Sequence, residues 1–414
     1  MFDQITLKSG LRVIGERIPH FRSVSVGLWL GAGSQFETPE LGGISHFLEH
    51  MVFKGTKKRS ARQIAEEMDA VGGQLNAFTS KDCTCFYAKV VDEHLPLAMD
   101  VIADLATAPT FIPEEMEKEK GVVIEEINMT EDDPEDLVHE LLMLAHYGDQ
   151  PISRPVLGTE ANVSGFSREQ LAGYWGRMYR PQNAVLALAG NYDWDNVLGL
   201  IDEYLGSWTP EGLEKPGFVV TPTKPTLLTR EKDIEQVHIC LGYPGIPSGD
   251  ERNYALSVFN SVFGGAMSSR LFQKIREESG MAYSVYSYPN GGTLSGMLSV
   301  YAGTSPENAD QVYGMILEEA RRMADEGLTE AEFVMAREQM KSGYILGQES
   351  TSSRMSSLGR RLLLLDTTRT ETEVIDRINA ITLAETNALM REILTAPHSV
   401  ALVGKGLDKL DIAL

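Results

Sequence analysis

Apolar residues along this chain recur with two different periods, and the switches between them predict an α+β protein. Residues 3–8 and 11–17 alternate with period two around Ser9-Gly10, which predicts a hairpin, and Ser23–Leu30 (SVSVGLWL) alternates again as a strand. Helical spacing takes over in the stretch entered through Gly42-Gly43, and again over Ala61–Val71 behind Ser60, a natural N-cap. After Gly72-Gly73 the segment QLNAFTSKDCTCFYAKVV is rich in β-branched and aromatic residues and predicts a pair of strands. Helices are predicted over Leu95–Ala106, from Pro113 to about Thr130, and over Pro134–His146, Ser167–Tyr179 and Trp194–Leu205, with a buried strand at Ala184–Ala189. Pro113 suits a first helical turn, and Glu114, Glu115 and Glu117 complement the dipole there.

From Ser207 to Thr226 the texture changes: Pro210, Pro216, Pro222 and Pro225, with Gly212 and Gly217, predict a linker over 207–226 between domains at 1–206 and 227–414. A chain of 414 residues exceeds what one core usually serves. Beyond the linker the order begins again, with a strand at Gln236–Gly242, helices at Asn253–Phe263 and Leu271–Ser279, and strands at Tyr283–Tyr288 and Met297–Tyr301. Two long helices, Pro306–Met323 and Thr329–Leu346, and a closing strand, Ser399–Val403, complete the half. This is the signature of a weak internal duplication.

The formal charge of -22 argues against nucleic acid and anionic membrane as partners and would attract basic ligands, although acidity also simply keeps a protein soluble. Cys83, Cys85 and Cys240 are too few and scattered for a disulfide framework or a zinc ribbon, and read as packing residues in a reducing compartment. The first residues, MFDQITLKSGLRVIGERI, lack the basic start and apolar core of a signal peptide, and no apolar run is long enough to span a membrane, so a cytoplasmic protein is expected.

The chemistry concentrates in Gly42-Gly43-Ile44-Ser45-His46-Phe47-Leu48-Glu49-His50-Met51-Val52-Phe53. On a helix, His46 and His50 stand one turn apart on one face, where two imidazoles can hold one divalent ion, and Glu49 beside them can take a proton from water. H-x-x-E-H is the inverzincin pattern. Without it, Phe47, Leu48 and Met51 read as the apolar stripe of an ordinary packed helix. Setting Phe263 against Phe53 places Leu256, Phe259 and Asn260 opposite His46, Glu49 and His50, so only the first half can hold metal. On the helix from Pro113, Glu119 and Glu126 share a face, and each reads alone as a solvated charge.

GGISHFLEHMVFKGT, GGQLNAFTSKDCTCFYAKVV, EKEKGVVIEEINM and SRLFQKIREESGMAYSVYSY together resemble the pitrilysin/insulinase-type metallopeptidases, and within them the mitochondrial processing peptidase β subunit and its bacterial homologues. The resemblance spans essentially the whole chain. It implies two homologous α+β domains, each a mostly antiparallel sheet packed with helices, and paired chains that enclose an acidic chamber. It implies one zinc ion per chain on His46, His50 and a glutamate for which VVIEEINM selects Glu126 over Glu125, with Glu49 as general base and Glu119 in support. Gly73–Thr79, with Asn76, Ala77 and Phe78 at its core, resembles the edge strand that receives an extended peptide. Arg276 and Tyr283 match residues that reach substrate and transition state, though alone they read as one ion pair and one core tyrosine. Phe53 matches an aromatic residue lining the pocket after the scissile bond. Asp136 and Glu140 match acids that hold an arginine two residues before the cut, and alone they read as solvated charges. Phe263-Gly264-Gly265-Ala266 is a short form of a glycine-rich loop found on a separate subunit in mitochondria, which favours a homodimer and leaves open a heterodimer. The expected activity is a zinc endopeptidase for short or unfolded, basic peptides. The competing readings are a structural subunit of the same fold and a chamber that traps peptides without cutting them.

Overall fold

The structure is a computed structural model that describes residues 2–213, 215–221 and 223–412. It contains two mixed sheets, each the floor of its own core. The first comprises β1 (Asp3–Thr6), β2 (Arg12–Arg17), β3 (Ser23–Leu30), β4 (Gln74–Thr79), β5 (Thr84–Val91) and β6 (Ala184–Gly190), in the order β1-β2-β6-β3-β5-β4. The predicted hairpin forms, with Thr6 opposite Arg12 and Gly10 in the left-handed region at φ +88. β2 and β6 run parallel and the other neighbours antiparallel.

The second sheet comprises β7 (Leu227–Glu231), β8 (Val237–Pro244), β9 (Ala282–Gly291), β10 (Gly296–Thr304) and β11 (Ser399–Gly404), in the order β7-β11-β8-β10-β9. β7 and β11 are parallel and the remaining pairs antiparallel, which repeats β2-β6-β3-β5-β4 strand for strand. The duplication read in the sequence is therefore a duplication of topology. A helix follows the corresponding strand in each half, Ile44–Val52 after β3 and Asn253–Asn260 after β8. Beyond Asn260 the chain widens into π-type turns at Ser261–Gly265 and Phe272–Glu278, where the sequence predicted continuous helix.

The two compact units are not the contiguous halves 1–206 and 227–414. The first takes residues up to Ile127, Pro155–Phe218 and Leu346–Thr368; the second takes Asn128–Arg154, Val219–Ile345 and the chain from Arg369. Each sheet has one face against its main core and the other under a single helix from the distant half of the chain. Helix Thr351–Leu365 covers the first sheet with Met355, Leu358 and Leu362 on Trp29, Cys85, Val185 and Ala187. Contact there is close: a Cβ on Gly359 would lie 2.2 Å from Trp29 Nε1. Helix Pro134–Tyr147 covers the second sheet with Leu137, Val138 and Leu142 on Cys240, Tyr301 and Ala401. Local periodicity cannot say which sheet a helix serves, which is why contiguous boundaries do not follow the two units.

Helices Thr351–Leu365, Glu371–Ala380 and Leu383–Leu394 and strand β7 lie where the sequence reading placed no element. The described residues of 207–226 form no helix or strand, yet Trp208 is buried and donates from Nε1 to Tyr179 O (3.1 Å). Pro222 of the predicted linker lies outside the described residues. All three cysteines are buried and free. No helix among the described residues is long and apolar enough to cross a membrane.

Candidate metal centre

The motif helix Ile44–Val52 buries Ile44, Phe47, Leu48, Met51 and Val52 in the first core, which turns His46, Glu49 and His50 to the opposite side. Its first turn is held from outside: Gly43 N and Ser45 N each donate to a carboxylate oxygen of Glu37 at 2.7 Å. Burial lifts the Glu37 carboxyl to about 7, against the opposing pull of those donors and of Lys81. At Gly43 the chain takes φ +93, and a Cβ would stand 2.4 Å from Leu157 O, so glycine is required at this entry.

The ring centroids of His46 and His50 are 4.5 Å apart. Glu126, on helix Pro113–Asp132, brings Oε2 to 3.6 Å from Nε2 of both histidines, while Glu125 is exposed. One donor atom from each of His46, His50 and Glu126 lies within 4.8 Å of the others, the one such cluster among the described residues. Glu126 Oε2 is buried without a hydrogen-bond donor among those residues, an orphaned acceptor that asks for a cation. Burial, with the His50 charge, presses the His46 imidazole down to about 4, so it is neutral with a lone pair to offer. Burial also opposes a charge on His50, but the hydrogen bond to Glu119 and the charges of Glu126, Glu119 and Glu49 outweigh it and raise that group. Two imidazoles and one carboxylate are the donor set of an open zinc site, and the residues present fit such an ion.

Two further carboxylates, Glu119 and Glu49, stand beside these three residues. Glu119 is buried, lies 2.8 Å from His50 Nδ1 through Oε1, and accepts from Lys54 Nζ through Oε2 at 2.7 Å. Burial would raise the Glu119 carboxyl, but the bonds from His50 and Lys54 hold it below its ordinary value. Glu49 accepts from Thr79 Oγ1 at 2.6 Å. Burial raises the Glu49 carboxyl, Thr79 and His50 pull it down, and Glu126 adds to the rise. Neither Lys54 nor the Thr79–Glu49 bond was read from the sequence, although Lys54 stands four residues after His50, itself four after His46.

Comparison with known proteins decides what this cluster belongs to. The insulinase (peptidase family M16) model matches residues 12–160, and the peptidase M16 inactive domain model matches 165–340. The chain belongs to peptidase family M16. Among its M16 relatives, a Bacillus subtilis protein named "Uncharacterized zinc protease YmxG" is 46% identical over 97% of this chain and 98% of its own. A Mycobacterium tuberculosis protein named "Uncharacterized zinc protease Rv2782c" is 42% identical over 96% and 92%. In fold, the chain is similar to a peptidase M16 inactive domain from Pseudomonas fluorescens (TM-score 0.91, 18% identity, 98% of both chains) and to a protease from Helicobacter pylori (TM-score 0.91, 20% identity, 98% and 99%). All the M16 ligand candidates lie in the stretch matched by the first model. In the second, Leu256 and Phe259 are buried core and Asn260 accepts from Ser287 Oγ at 2.7 Å, so the counterpart of the metal helix is filled.

Of the other predicted residues, Thr79, Ala77, Asn76 and Phe78 lie on β4, the last strand of its sheet, with Gly73 just before it. Leu75, Ala77 and Thr79 face one way and are half-buried; Gln74, Asn76 and Phe78 face the other. Phe78 therefore stacks edge-on against Trp29 (5.6 Å), and only its backbone shares the strand edge with the Thr79 side. Phe53 lines a cavity of about 460 Å³ together with Lys54, Ile64, Met68, Gly73 and Leu75. In the second unit, the Arg276 guanidinium stacks over the rings of Phe272 (4.7 Å) and Tyr283 (4.6 Å), and Tyr283 is 77% exposed. Asp136 is exposed in the first turn of helix Pro134–Tyr147, and Glu140 is half-buried one turn on.

Proposed function

We propose that this chain is a zinc-dependent endopeptidase that takes short or unfolded, basic peptides as a strand added to β4. The observation that carries the reading is the convergence of His46 Nε2, His50 Nε2 and the unpartnered Glu126 Oε2 beside Glu49. Bound to that donor set, zinc supplies Lewis-acid activation of water and stabilises charge on a carbonyl oxygen. The remaining steps belong to the protein. Glu49 accepts the proton of the water that attacks the scissile carbonyl carbon, and returns it to the nitrogen as the C–N bond breaks. Thr79 Oγ1 anchors one oxygen of that carboxylate at 2.6 Å and leaves the other for the proton. β4 offers main-chain pairing at a sheet edge, where affinity comes from the backbone and selectivity from flanking pockets.

The formal charge of -22 supports a preference for basic peptides, and Asp136 and Glu140 support arginine two residues before the cut. The same family reading supports a homodimer enclosing an acidic chamber. One experiment tests the core of it. Purified protein is incubated with a mixed peptide library, with and without chelator, and the cuts are read by mass spectrometry beside metal analysis. Stoichiometric zinc, chelator-sensitive cleavage and about 10²–10⁴-fold slower turnover by Glu49→Gln with zinc retained are expected. A chain without zinc, or cleavage indifferent to chelator, would overturn it; indifference to arginine removes only the specificity.

A further inference from the structure

His50 can offer Nε2 to an ion only when its proton sits on Nδ1, and that choice is set by whatever Nδ1 meets. It meets Glu119 Oε1 at 2.8 Å. His46 has no such partner: its Nδ1 is buried without a hydrogen bond among the described residues. The site is thus asymmetric, with one imidazole held by a carboxylate and one held by packing alone. That carboxylate has its own requirement. The Glu119 side chain is 6% exposed, and a carboxylate so buried is oriented by the partners that its two oxygens meet. Lys54 Nζ is the second of them, 2.7 Å from Oε2, the oxygen that His50 does not use.

The backbone that delivers Lys54 is fixed from several sides. Lys54 N closes the end of the motif helix on Met51 O (3.2 Å). At the next residue, Gly55 O accepts from both Thr110 N (3.1 Å) and Thr110 Oγ1 (3.0 Å). One residue further, Thr56 Oγ1 donates to the buried Asp104, which also pairs with Arg59 (3.1 Å). The backbone at Lys54 is thereby fixed at a point from which its side chain, 30% exposed, reaches Glu119.

We propose that Lys54 is a positioning residue of the metal centre: by holding Glu119 Oε2 it keeps Oε1 on His50 Nδ1, and so keeps His50 in the tautomer that presents Nε2 to the ion. This inference rests on the metal-centre reading above and adds a residue which that reading does not use. Lys54 touches neither ion nor substrate in this role, so its removal weakens the site by releasing a ligand rather than by deleting one. Lys54 meanwhile lines the Phe53 cavity, to which its stem offers methylenes while its ammonium is paired with Glu119.

The test uses the full chain as wild type, Lys54→Met, Lys54→Arg, Glu119→Gln and the Lys54→Met/Glu119→Gln double variant. Zinc affinity is measured by chelator competition, and the tautomer of His50 is read from imidazole ¹⁵N shifts of metal-free protein at alkaline pH, where the ring is neutral. Lys54→Met and Glu119→Gln should each weaken zinc by about 10–100-fold, the range for losing an outer partner of a metal-bound histidine. The double variant should be little weaker than either single one, because both act along one chain of contacts. Lys54→Arg should recover most of the affinity, and His50 should lose its Nδ1–H signature in Lys54→Met while His46 is unchanged. Lys54→Met with wild-type affinity, an unaltered His50 tautomer, or losses that multiply in the double variant would each overturn the proposal. Should Lys54→Met fail to fold, Lys54→Arg and Lys54→Gln decide it: equal zinc affinity in the two means that the charge pair is not what matters. A wild-type protein without tight zinc sinks the metal-centre reading itself, and is thereby told apart from failure of the Lys54 role.

Discussion

Thr79 Oγ1 donates to Glu49 Oε2 at 2.6 Å, so the last residue of the edge strand holds the carboxylate that stands beside His50 and Glu126. Burial raises the Glu49 carboxyl and this bond opposes the rise. Thr79→Val therefore lifts the group further. A base must be ionised to accept a proton, so the acidic limb of kcat/KM should move to higher pH, with about a 10–100-fold loss on that limb, as expected for a bond to a charged group. Thr79→Ser, which keeps the hydroxyl, should restore the profile. An unshifted limb in Thr79→Val would remove Thr79 from control of Glu49.

Glu125 and Glu126 are adjacent in sequence, and only Glu126 faces the histidines, at 3.6 Å from each Nε2. Glu126→Gln should abolish stoichiometric zinc, whereas Glu125→Gln should leave metal content and turnover within about twofold, as for a surface change far from any special contact. Metal analysis of the two variants checks it, and equal loss in both would mean that the helix is read in the wrong register.

Arg59 is 8% exposed and pairs with Glu67 (2.8 Å), Asp100 (2.6 Å) and the buried Asp104 (3.1 Å). Removing one partner of a buried network leaves the others uncompensated, which costs about 3–5 kcal/mol. Arg59→Ala should lose that much in denaturant unfolding, and because Thr56 and Asp104 fix the loop after the motif helix, zinc affinity should fall with it. A loss under about 1 kcal/mol would place the cluster with ordinary surface pairs.

What the sequence makes legible follows the range of the contacts involved. His46, Glu49 and His50 share one helical turn, so spacing alone brings them together. Glu126 shares a helix with many other acids, and only the resemblance singled it out before the geometry did. Thr79 and Lys54 act through partners on other elements, and no local pattern announces a bond between residues 30 or 65 positions apart. Phe78 was grouped with its strand, but alternation sends its ring to the Trp29 face. Helix Thr351–Leu365 carries a visible stripe in Met355, Leu358 and Leu362, and its Ser350 accepts from Ser353 N as an N-cap. That stripe docks on strands that lie far earlier in the chain, with Ser25 Oγ 2.8 Å from Thr351 Oγ1 across 326 positions, a relation no window could reveal.

Glu37 offers a test through stability. Its folded carboxyl sits at about 7 against 4.5 unperturbed, so between these values the folded state holds a proton that the unfolded chain has lost. The contribution is fully present below pH 4.5 and disappears as pH rises through 7, a span of about 3 kcal/mol. The unfolding free energy of wild type minus that of Glu37→Gln should fall by roughly that amount across the interval. Parallel pH curves for the two proteins would show that Glu37 titrates alike folded and unfolded.

The Phe53 cavity carries the last prediction, because its shape is independent of the metal. At about 460 Å³, with Phe53, Ile64, Met68 and Leu75 as apolar walls, it lies beside the start of β4 and is large enough for an aromatic side chain. Lys54 adds little charge to it while its ammonium is paired with Glu119. A strand laid along β4 would send alternate side chains toward the face that carries Leu75 and Ala77. A large apolar residue just after the cut should therefore be favoured over alanine. Ala65 is exposed and also lines the cavity, so Ala65→Trp should narrow it without disturbing the core. The kcat/KM ratio of phenylalanine to alanine substrates should then drop by about 10-fold or more, the scale of discrimination an apolar pocket can supply. Zinc content should be unchanged, which separates a blocked pocket from a damaged centre. A ratio that does not move would mean that the side chain after the cut is read elsewhere.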